Sequence, residues 1–154
     1  MHCSDEEQNL IVTSRLYEYI KECCWDINTC ISLSDISLAY GKNVPVQREK
    51  YADSDSCLLV KHRSKAWHLG RILYFINHPE EICDIEIDNR CDGLSILAEP
   101  IIQDGNHRYL AAAWLCSKGL GMKKIPCRYG GRLDLLSYLT GESDDRPDAS
   151  DWFI

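Results

Sequence analysis

One short run of the sequence holds most of the side chains that could do chemistry: Asp104-Gly105-Asn106-His107-Arg108. A guanidinium such as that of Arg108 can bind two oxygens of a phosphate at once, and His107 supplies a further hydrogen-bond donor. The carboxylate of Asp104 can hold Mg²⁺ or accept a proton from an attacking hydroxyl. Together these residue types predict an anion site, and phosphate is the anion that suits them best.

The surrounding sequence places this run between a strand and a helix. Ile101 and Ile102 form a short β-branched run typical of a buried strand, whereas Ala and Leu dominate from Tyr109 onward and favour a helix. Gly105 permits a sharp turn between the two elements. The first turn of a helix has unpaired backbone N–H groups and the positive end of the helix dipole, so the predicted element order also favours anion binding.

Each of these residues has a structural interpretation as well. Arg108 either holds a phosphate or forms an ion pair with Asp104, and His107 either donates to a phosphate or caps the turn. Asp104 either binds a metal ion or accepts a proton, or it caps the helix that follows. Asn106 is expected to contribute only its backbone N–H. The residue types alone leave these alternatives open.

The composition predicts a single domain. With 154 residues, of which 45% are hydrophobic, the chain is long enough to bury its own core. Its net charge of -7 disfavours broad DNA binding, although the basic segment from Lys61 to Arg71 keeps DNA among the candidate partners. No apolar run reaches the length of a membrane span, so we expect no membrane partner.

The nine cysteines are interpreted as reduced thiols of a cytoplasmic protein. No Cys-x-x-Cys occurs and no cysteines and histidines have zinc-finger spacing, so we expect no structural zinc. Several cysteines are interpreted as small apolar side chains: Cys57, Cys83, Cys91, Cys116 and Cys127.

Hydrophobic periodicity and capping residues predict the other elements. We expect an amphipathic helix over residues 5–24 within an amino-terminal extension of residues 1–30. The main domain is expected over 31–141 and an acidic tail over 142–154, where Trp152-Phe153-Ile154 is apolar enough to dock. The main domain is predicted to contain strands at 31–36, 85–87, 101–103 and 124–128, and helices at 64–77, 107–118 and 133–139.

The run 104–108, with Ala111-Ala112 one helical turn later, resembles the phosphate-binding turn of the ParB/sulfiredoxin superfamily, in which Gly-x-His-Arg or Gly-x-Arg-Arg joins a strand to a helix. Lys61-His62-Arg63-Ser64 is similar to the Lys-x-x-Ser with which sulfiredoxins begin an earlier helix and contact phosphate. The resemblance covers residues 31–141. It implies an α+β fold in which a small mixed sheet packs with helices, here with an extra amino-terminal helix.

Two departures limit what the resemblance implies. Sulfiredoxins have their nucleophilic cysteine between the glycine and the histidine, where this chain has Asn106. An amide is not a nucleophile, so we do not expect sulfinic acid repair by that route. No helix-turn-helix sequence follows the domain, so we do not expect a centromere-binding ParB. The turn matches the Asp-Gly-x-His-Arg form of some amino acid kinases, nucleotide hydrolases and nucleases of the superfamily.

The resemblance therefore implies an enzyme that binds ATP, or another NTP or ADP, with Mg²⁺ and transfers its terminal phosphate to an unidentified acceptor or hydrolyses it. The implied catalytic residues are Asp104 and His107, with Asp104 also a metal ligand. A second catalytic carboxylate is sought among Asp35, Glu49, Asp53 and Asp55. The implied nucleotide-binding residues are Lys61, Ser64, Gly105, Asn106, His107 and Arg108.

Two other functions compete with this one. The first is a nucleotide-responsive regulatory module of plasmid or phage type, which binds a protein through the amino-terminal helix or through Trp152-Phe153-Ile154. The second is a ParB-like DNase. Lys61 and Ser64 also have a structural alternative, as an exposed lysine and an ordinary N-cap.

Overall fold

The computed structural model describes residues 3–48, 63–150 and 152–153. Its elements in chain order are β1 (Asn9–Val12), α1 (Thr13–Tyr17), β2 (Glu22–Asp26), β3 (Thr29–Ser32), α2 (Leu33–Tyr40), α3 (Lys65–Asn77), a 3-10 turn (Pro79–Glu81), β4 (Ile85–Asp92), β5 (Ser95–Asp104), α4 (Asn106–Ser117), β6 (Lys124–Tyr129), α5 (Leu133–Thr140) and β7 (Trp152–Phe153).

The main sheet has five strands in the order β1-β6-β4-β5-β7, and β2 and β3 form a separate hairpin. In the main sheet β4 and β6 run parallel, whereas the other neighbouring pairs are antiparallel. These elements confirm the predicted α+β class with a small mixed sheet. Across the described ranges, no helix has both the length and the apolar character needed to cross a membrane.

The prediction of a helix over residues 5–24 is wrong. β1 pairs antiparallel with β6, so Ile11 lies opposite Ile125 and is fully buried. The short helix α1 follows, and the chain returns to extended structure in β2. The apolar residues at 10–12 fit either period, but Ile11 and Val12 are β-branched, and the sheet offers them backbone partners and a buried face that an isolated helix would lack.

Ser32 divides the strand predicted at 31–36 into a strand and a helix. β3 ends at Ser32 and α2 begins at Leu33. The carboxylate of Asp35 accepts hydrogen bonds from the backbone N–H of Ser32 at 2.9 Å and from its hydroxyl at 3.1 Å. The strand prediction beyond Ser32 is therefore wrong, because this capping arrangement starts a helix and outweighs an imperfect apolar alternation.

Helices α3 and α4 form the centre of the core. Ser64 caps α3, as predicted, and both helices are buried along most of their length and pack against each other. Gly141, with φ of 87°, ends α5 in the left-handed conformation that glycine adopts readily. The helices predicted at 64–77, 107–118 and 133–139 are thereby confirmed, as are the strands at 85–87, 101–103 and 124–128.

Two disulfides correct the interpretation of the cysteines as reduced thiols. Cys3 is bonded to Cys83, and Cys24 is bonded to Cys30 across the β2–β3 hairpin. Cys83 was expected to be a small apolar side chain, but it cross-links the amino-terminal segment to the chain just before β4. Its partner lies 80 positions away in the sequence, so the pairing follows from the fold and not from any local spacing.

The remaining cysteines of the predicted apolar set differ in burial. Cys127 is buried in β6, and burial raises its pKa to about 12. Cys116 is half-buried and Cys91 is exposed. Cys57 lies outside the described residues.

The carboxyl-terminal tail docks on the sheet, as predicted. β7 pairs antiparallel with β5, with Trp152 opposite Ile96 and Phe153 opposite Ser95. Ile154 lies outside the described residues. The tail therefore adds an edge strand to the same sheet that β1 enters at the other edge.

The fully buried side chain of Arg132 fastens this tail. Its Nη1 donates to the carbonyl oxygens of Asp148 at 3.0 Å and Ile96 at 3.3 Å, and its Nη2 forms a 2.5 Å ion pair with Asp134. The guanidinium lies 5.1 Å from the centre of the Trp152 ring. A buried cation is tolerated here because its donors and its charge are matched.

Replacing Arg132 with alanine should lower the free energy of unfolding by about 3 kcal/mol, since Asp134 and two carbonyl groups lose their donor. The matched control is Arg90→Ala, which removes a surface ion pair with Glu99 and should cost at most about 1 kcal/mol. Urea unfolding of both variants measures the difference. Equal losses would contradict the role given to Arg132.

Candidate functional site

β5 runs into α4 through Gly105, as the sequence predicts. Gly105 has φ of 101°, and a Cβ there would lie 3.0 Å from Cγ1 of Ile85 and 3.2 Å from Nη2 of Arg108. Conformation and space therefore both favour glycine. The turn brings residues 104–108 together at the start of α4, beside the beginning of β4.

Arg108 is directed into the protein. Its Nη1 donates to the carbonyl oxygen of Cys83 at 2.5 Å, and its Nη2 lies 3.5 Å from Oδ2 of Asp104. The Asp104 side chain is 50% exposed, whereas that of Arg108 is 10% exposed. The ion pair that sequence analysis offered as the structural alternative for Arg108 is present.

His107 pairs with a histidine that sequence analysis did not select. Its Nε2 lies 2.9 Å from Nδ1 of His68, in the first turn of α3. The Trp25 ring stacks on both imidazoles, with its centre 4.2 Å from that of His68 and 4.6 Å from that of His107, and Trp67 meets both rings edge-on. These four residues are named the histidine cluster.

Burial keeps His68 neutral. It lowers the pKa of His68 to about 4, an effect that the charge of Asp26 opposes and that of Arg63 reinforces. Nε2 of His68 is buried and has no hydrogen-bond partner within the described part of the chain. A neutral imidazole has one donor and one acceptor nitrogen. In the tautomer whose Nδ1 donates to His107, only a lone pair is left at the unpartnered Nε2.

The helix that follows Ser64 reaches the same cluster. The Ser64 hydroxyl accepts a hydrogen bond from the backbone N–H of Trp67 at 3.1 Å, so Ser64 acts as an N-cap. Trp67 and His68 lie in the first turn of α3 and contact His107 in the first turn of α4. The two predicted phosphate-binding segments therefore belong to helices whose first turns meet. Lys61 lies outside the described residues.

A cavity of about 810 Å³ reaches the turn at Asn106 and is named the Asn106 cavity. Its walls come from the segment joining α1 to β2 and the start of β2, from residues 98–102 of β5 with Arg90 of β4, and from the tail around Arg146. His107 and Arg108, the neighbours of Asn106, do not line it. Its charged side chains are Lys21, Arg90, Arg146, Glu18, Glu22 and Glu99.

Two ion pairs join charged side chains that line this cavity. Arg90 pairs with Glu99 at 3.5 Å, and Arg146 pairs with Glu18 at 3.3 Å. The guanidinium of Arg146 also lies 4.4 Å from the centre of the Tyr19 ring. The cavity therefore has an aromatic and cationic wall formed partly by the tail.

Asp35, the one candidate for a second catalytic carboxylate that the structure describes, is not brought to the turn. Asp35 caps α2 and pairs with Lys65 at 3.2 Å. Glu49, Asp53 and Asp55 lie outside the described residues. The carboxylates that share the Asn106 cavity are ones that sequence analysis did not consider: Glu18, Glu22 and Glu99.

Sequence analysis missed His68 and Trp25 for different reasons. His68 lies four residues after Ser64, so a helix capped at Ser64 places both near one face, and that spacing was a usable signal. Trp25 had no such signal, because the residues before it were predicted to belong to the helix over 5–24. Its position depends on the β2–β3 hairpin.

Comparisons of the chain with models of known protein families, with curated protein sequences and with solved structures give no match. Membership of the ParB/sulfiredoxin superfamily therefore stays a prediction from the residues 61–64 and 104–108.

The buried histidine should make folding pH-dependent. The unfolded chain takes up a proton at His68 near its ordinary pKa of about 6.5, whereas the folded protein does so only near about 4. The contribution of His68 to the free energy of unfolding should therefore be complete above about pH 6.5. It should fall as the pH drops towards about 4, by up to about 1.4 kcal/mol per pH unit.

Urea unfolding across this pH window measures the effect. His68→Gln should flatten the dependence, because the titrating group is gone. His78→Gln, at the other end of α3 and outside the cluster, should leave the slope of the wild-type chain unchanged. Parallel slopes for the wild type and His68→Gln would mean that His68 is not a buried neutral imidazole.

Proposed function

We propose that this chain binds a nucleoside triphosphate, with ATP the expected one, in the Asn106 cavity and transfers or hydrolyses its terminal phosphate with Mg²⁺. The observation that supports the proposal is the position of Asn106. It places the first turn of α4 at a cavity that also holds Lys21, Arg90 and Arg146. The cavity volume of about 810 Å³ is within the range typical of small-molecule sites.

The backbone of α4 provides the first phosphate contacts in this proposal. The N–H of Tyr109 makes the first intrahelical bond, to the carbonyl oxygen of Gly105 at 2.8 Å, so the N–H groups of residues 106–108 precede the helical ladder. The positive end of the helix dipole adds to their effect. Gly105, with φ of 101°, makes the tight turn that presents these N–H groups at the start of α4.

The charged side chains of the cavity complement a polyphosphate bound with a metal. Lys21, Arg90 and Arg146 supply positive charge for phosphate oxygens. Glu99 in the wall and Asp104 beside the turn are about half exposed, and carboxylate oxygens are the donors that Mg²⁺ prefers. Bound Mg²⁺ would neutralise charge on the phosphates during transfer.

His107 and Arg108 act as positioning residues in this proposal. Arg108 fixes the turn to the Cys83 carbonyl, and His107 fixes it to His68 of α3. Both contacts hold the first turn of α4 in one orientation, so its N–H groups are preorganised for a phosphate. Phosphoryl transfer depends mainly on such positioning and on charge neutralisation.

Asn106→Asp tests the proposal without an obvious cost to folding. An aspartate in the first turn of a helix is favourable for the helix dipole, so stability should be kept. Its negative charge at the mouth of the cavity should weaken ATP binding at least about tenfold. The matched control is Ser34→Asp, the same charge change in the first turn of α2, which should not alter ATP affinity.

Calorimetric titration with ATP and Mg²⁺ measures affinity, and release of ADP or phosphate measures turnover. Binding with turnover, weakened by Asn106→Asp alone, supports the enzyme. Saturable binding without turnover would replace it with the nucleotide-responsive regulatory module. If Asn106→Asp and Ser34→Asp bind ATP as the wild type does, or if the wild type does not bind it, the phosphate site proposed here is wrong.

A further inference from the structure

The solvent-facing side of the β2–β3 hairpin carries two cysteines and a glutamate. Cys24 lies opposite Cys30 in the hairpin register, with their Cα atoms 4.0 Å apart. Glu22 lies two positions before Cys24 on the same strand and therefore on the same face, and its Oε1 is 4.0 Å from Sγ of Cys24. One ligand atom from each residue lies within 4.8 Å of the others. These three residues are named the hairpin thiol cluster.

A second group of similar residue types lies just before β4 and consists of Cys3, Cys83 and Asp84. There Asp84 is already engaged, because one carboxylate oxygen pairs with Arg128 at 2.6 Å and the other accepts a backbone N–H at 2.7 Å. Cys83 is also only 2% exposed. In the hairpin thiol cluster, Glu22 forms no ion pair within the described residues, and Glu22 and Cys24 are both exposed. Of the two groups, the hairpin thiol cluster is the one open to an ion from solvent.

We propose that the hairpin thiol cluster, when reduced, binds one thiophilic divalent cation of the Zn²⁺ type through Cys24, Cys30 and Glu22. Zn²⁺ takes thiolate ligands at about 2.3 Å and carboxylate oxygens at about 2.1 Å, so ligand atoms within 4.8 Å of one another can surround it. Three protein ligands leave a fourth tetrahedral position for water.

Register, and not sequence spacing, creates this site. Cys24 and Cys30 are six positions apart in the sequence, a spacing that does not correspond to a zinc-finger pattern, which is why the sequence predicts no structural zinc. Asn28 donates its N–H to Oδ1 of Asp26 at 2.7 Å, a local turn that reverses the chain and pairs the strands. The cysteines meet because the hairpin places them opposite each other. Glu22 and Cys24 also line the Asn106 cavity, so the bound ion lies in its wall.

The cluster has two mutually exclusive states. In the disulfide state the two sulfurs are bonded to each other, and neither is a thiolate ligand. A low-molecular-weight thiol reduces this disulfide by exchange: two thiols give up two electrons and two protons and become a disulfide, while Cys24 and Cys30 become thiols. Binding of the cation then displaces the two thiol protons. Reduction therefore opens the metal site, and oxidation closes it.

Titration of the reduced full-length chain with Co²⁺ tests the proposal, because thiolate ligands give Co²⁺ an intense charge-transfer absorption that carboxylates do not. The wild type should show this band with one equivalent of Co²⁺ and lose it when Zn²⁺ is added. Oxidation by a low-molecular-weight disulfide should abolish binding, and reduction should restore it. Cys24→Ser and Cys30→Ser should each lose the band.

The control variants locate the ion. Glu22→Gln keeps both thiols and should weaken Zn²⁺ affinity at least about tenfold, since even the loss of outer-shell partners costs that much. Cys3→Ser removes the second group and Cys91→Ser removes an exposed free thiol, and both should bind as the wild type does. The proposal fails if the reduced wild type gives no band, if the band survives in Cys24→Ser and Cys30→Ser, or if Cys3→Ser removes it. Circular dichroism of each variant verifies folding, and Glu22→Gln decides the matter if a cysteine variant does not fold.

Discussion

A buried polar side chain at the start of a core helix must find its partner inside the protein, and this constraint governs the structure around α4. His107 and Arg108 are each 8% exposed. Arg108 is satisfied by the carbonyl group of Cys83, and His107 by His68. One contact joins α4 to the segment that leads into β4, and the other joins it to α3. Loss of either would remove a hydrogen bond from a buried polar group and lower the free energy of unfolding.

The same constraint separates the roles of neighbouring residues in the turn. Successive residues of an α-helix are rotated by about 100°, so consecutive side chains cannot all face one ligand. Asn106 faces the cavity, while His107 and Arg108 face the interior. A run of residues that looks like one binding motif in the sequence is thus divided between one residue that lines the cavity and two that anchor the helix. The backbone N–H groups, which all point towards the helix start, are what the run can offer together.

The sequence predicted those parts of the fold that depend on residues close together in the chain, such as helix caps and tight turns. The N-cap at Ser64 and the strand-turn-helix around Gly105 are of this kind, and the structure has them where they were expected. β1 was not predictable in this way, because residues 9–12 become a strand through pairing with residues 124–127. The partnership of His68 with His107 and the bond between Cys3 and Cys83 likewise join distant segments. Local sequence patterns carry no information on such pairs.

The position of β1 has a consequence for the order in which the protein assembles. β1 hydrogen-bonds to β6, and β6 runs parallel to β4 on its other side, so the first strand of the chain joins the sheet through the last long one. In a nascent chain emerging from the ribosome, Ile11 would lack its partner Ile125 until β6 has been made. The sheet can therefore close only after β6 has been made. A protein built this way gains a core that joins both halves of its chain, and it depends on keeping its amino-terminal strand unpaired until then.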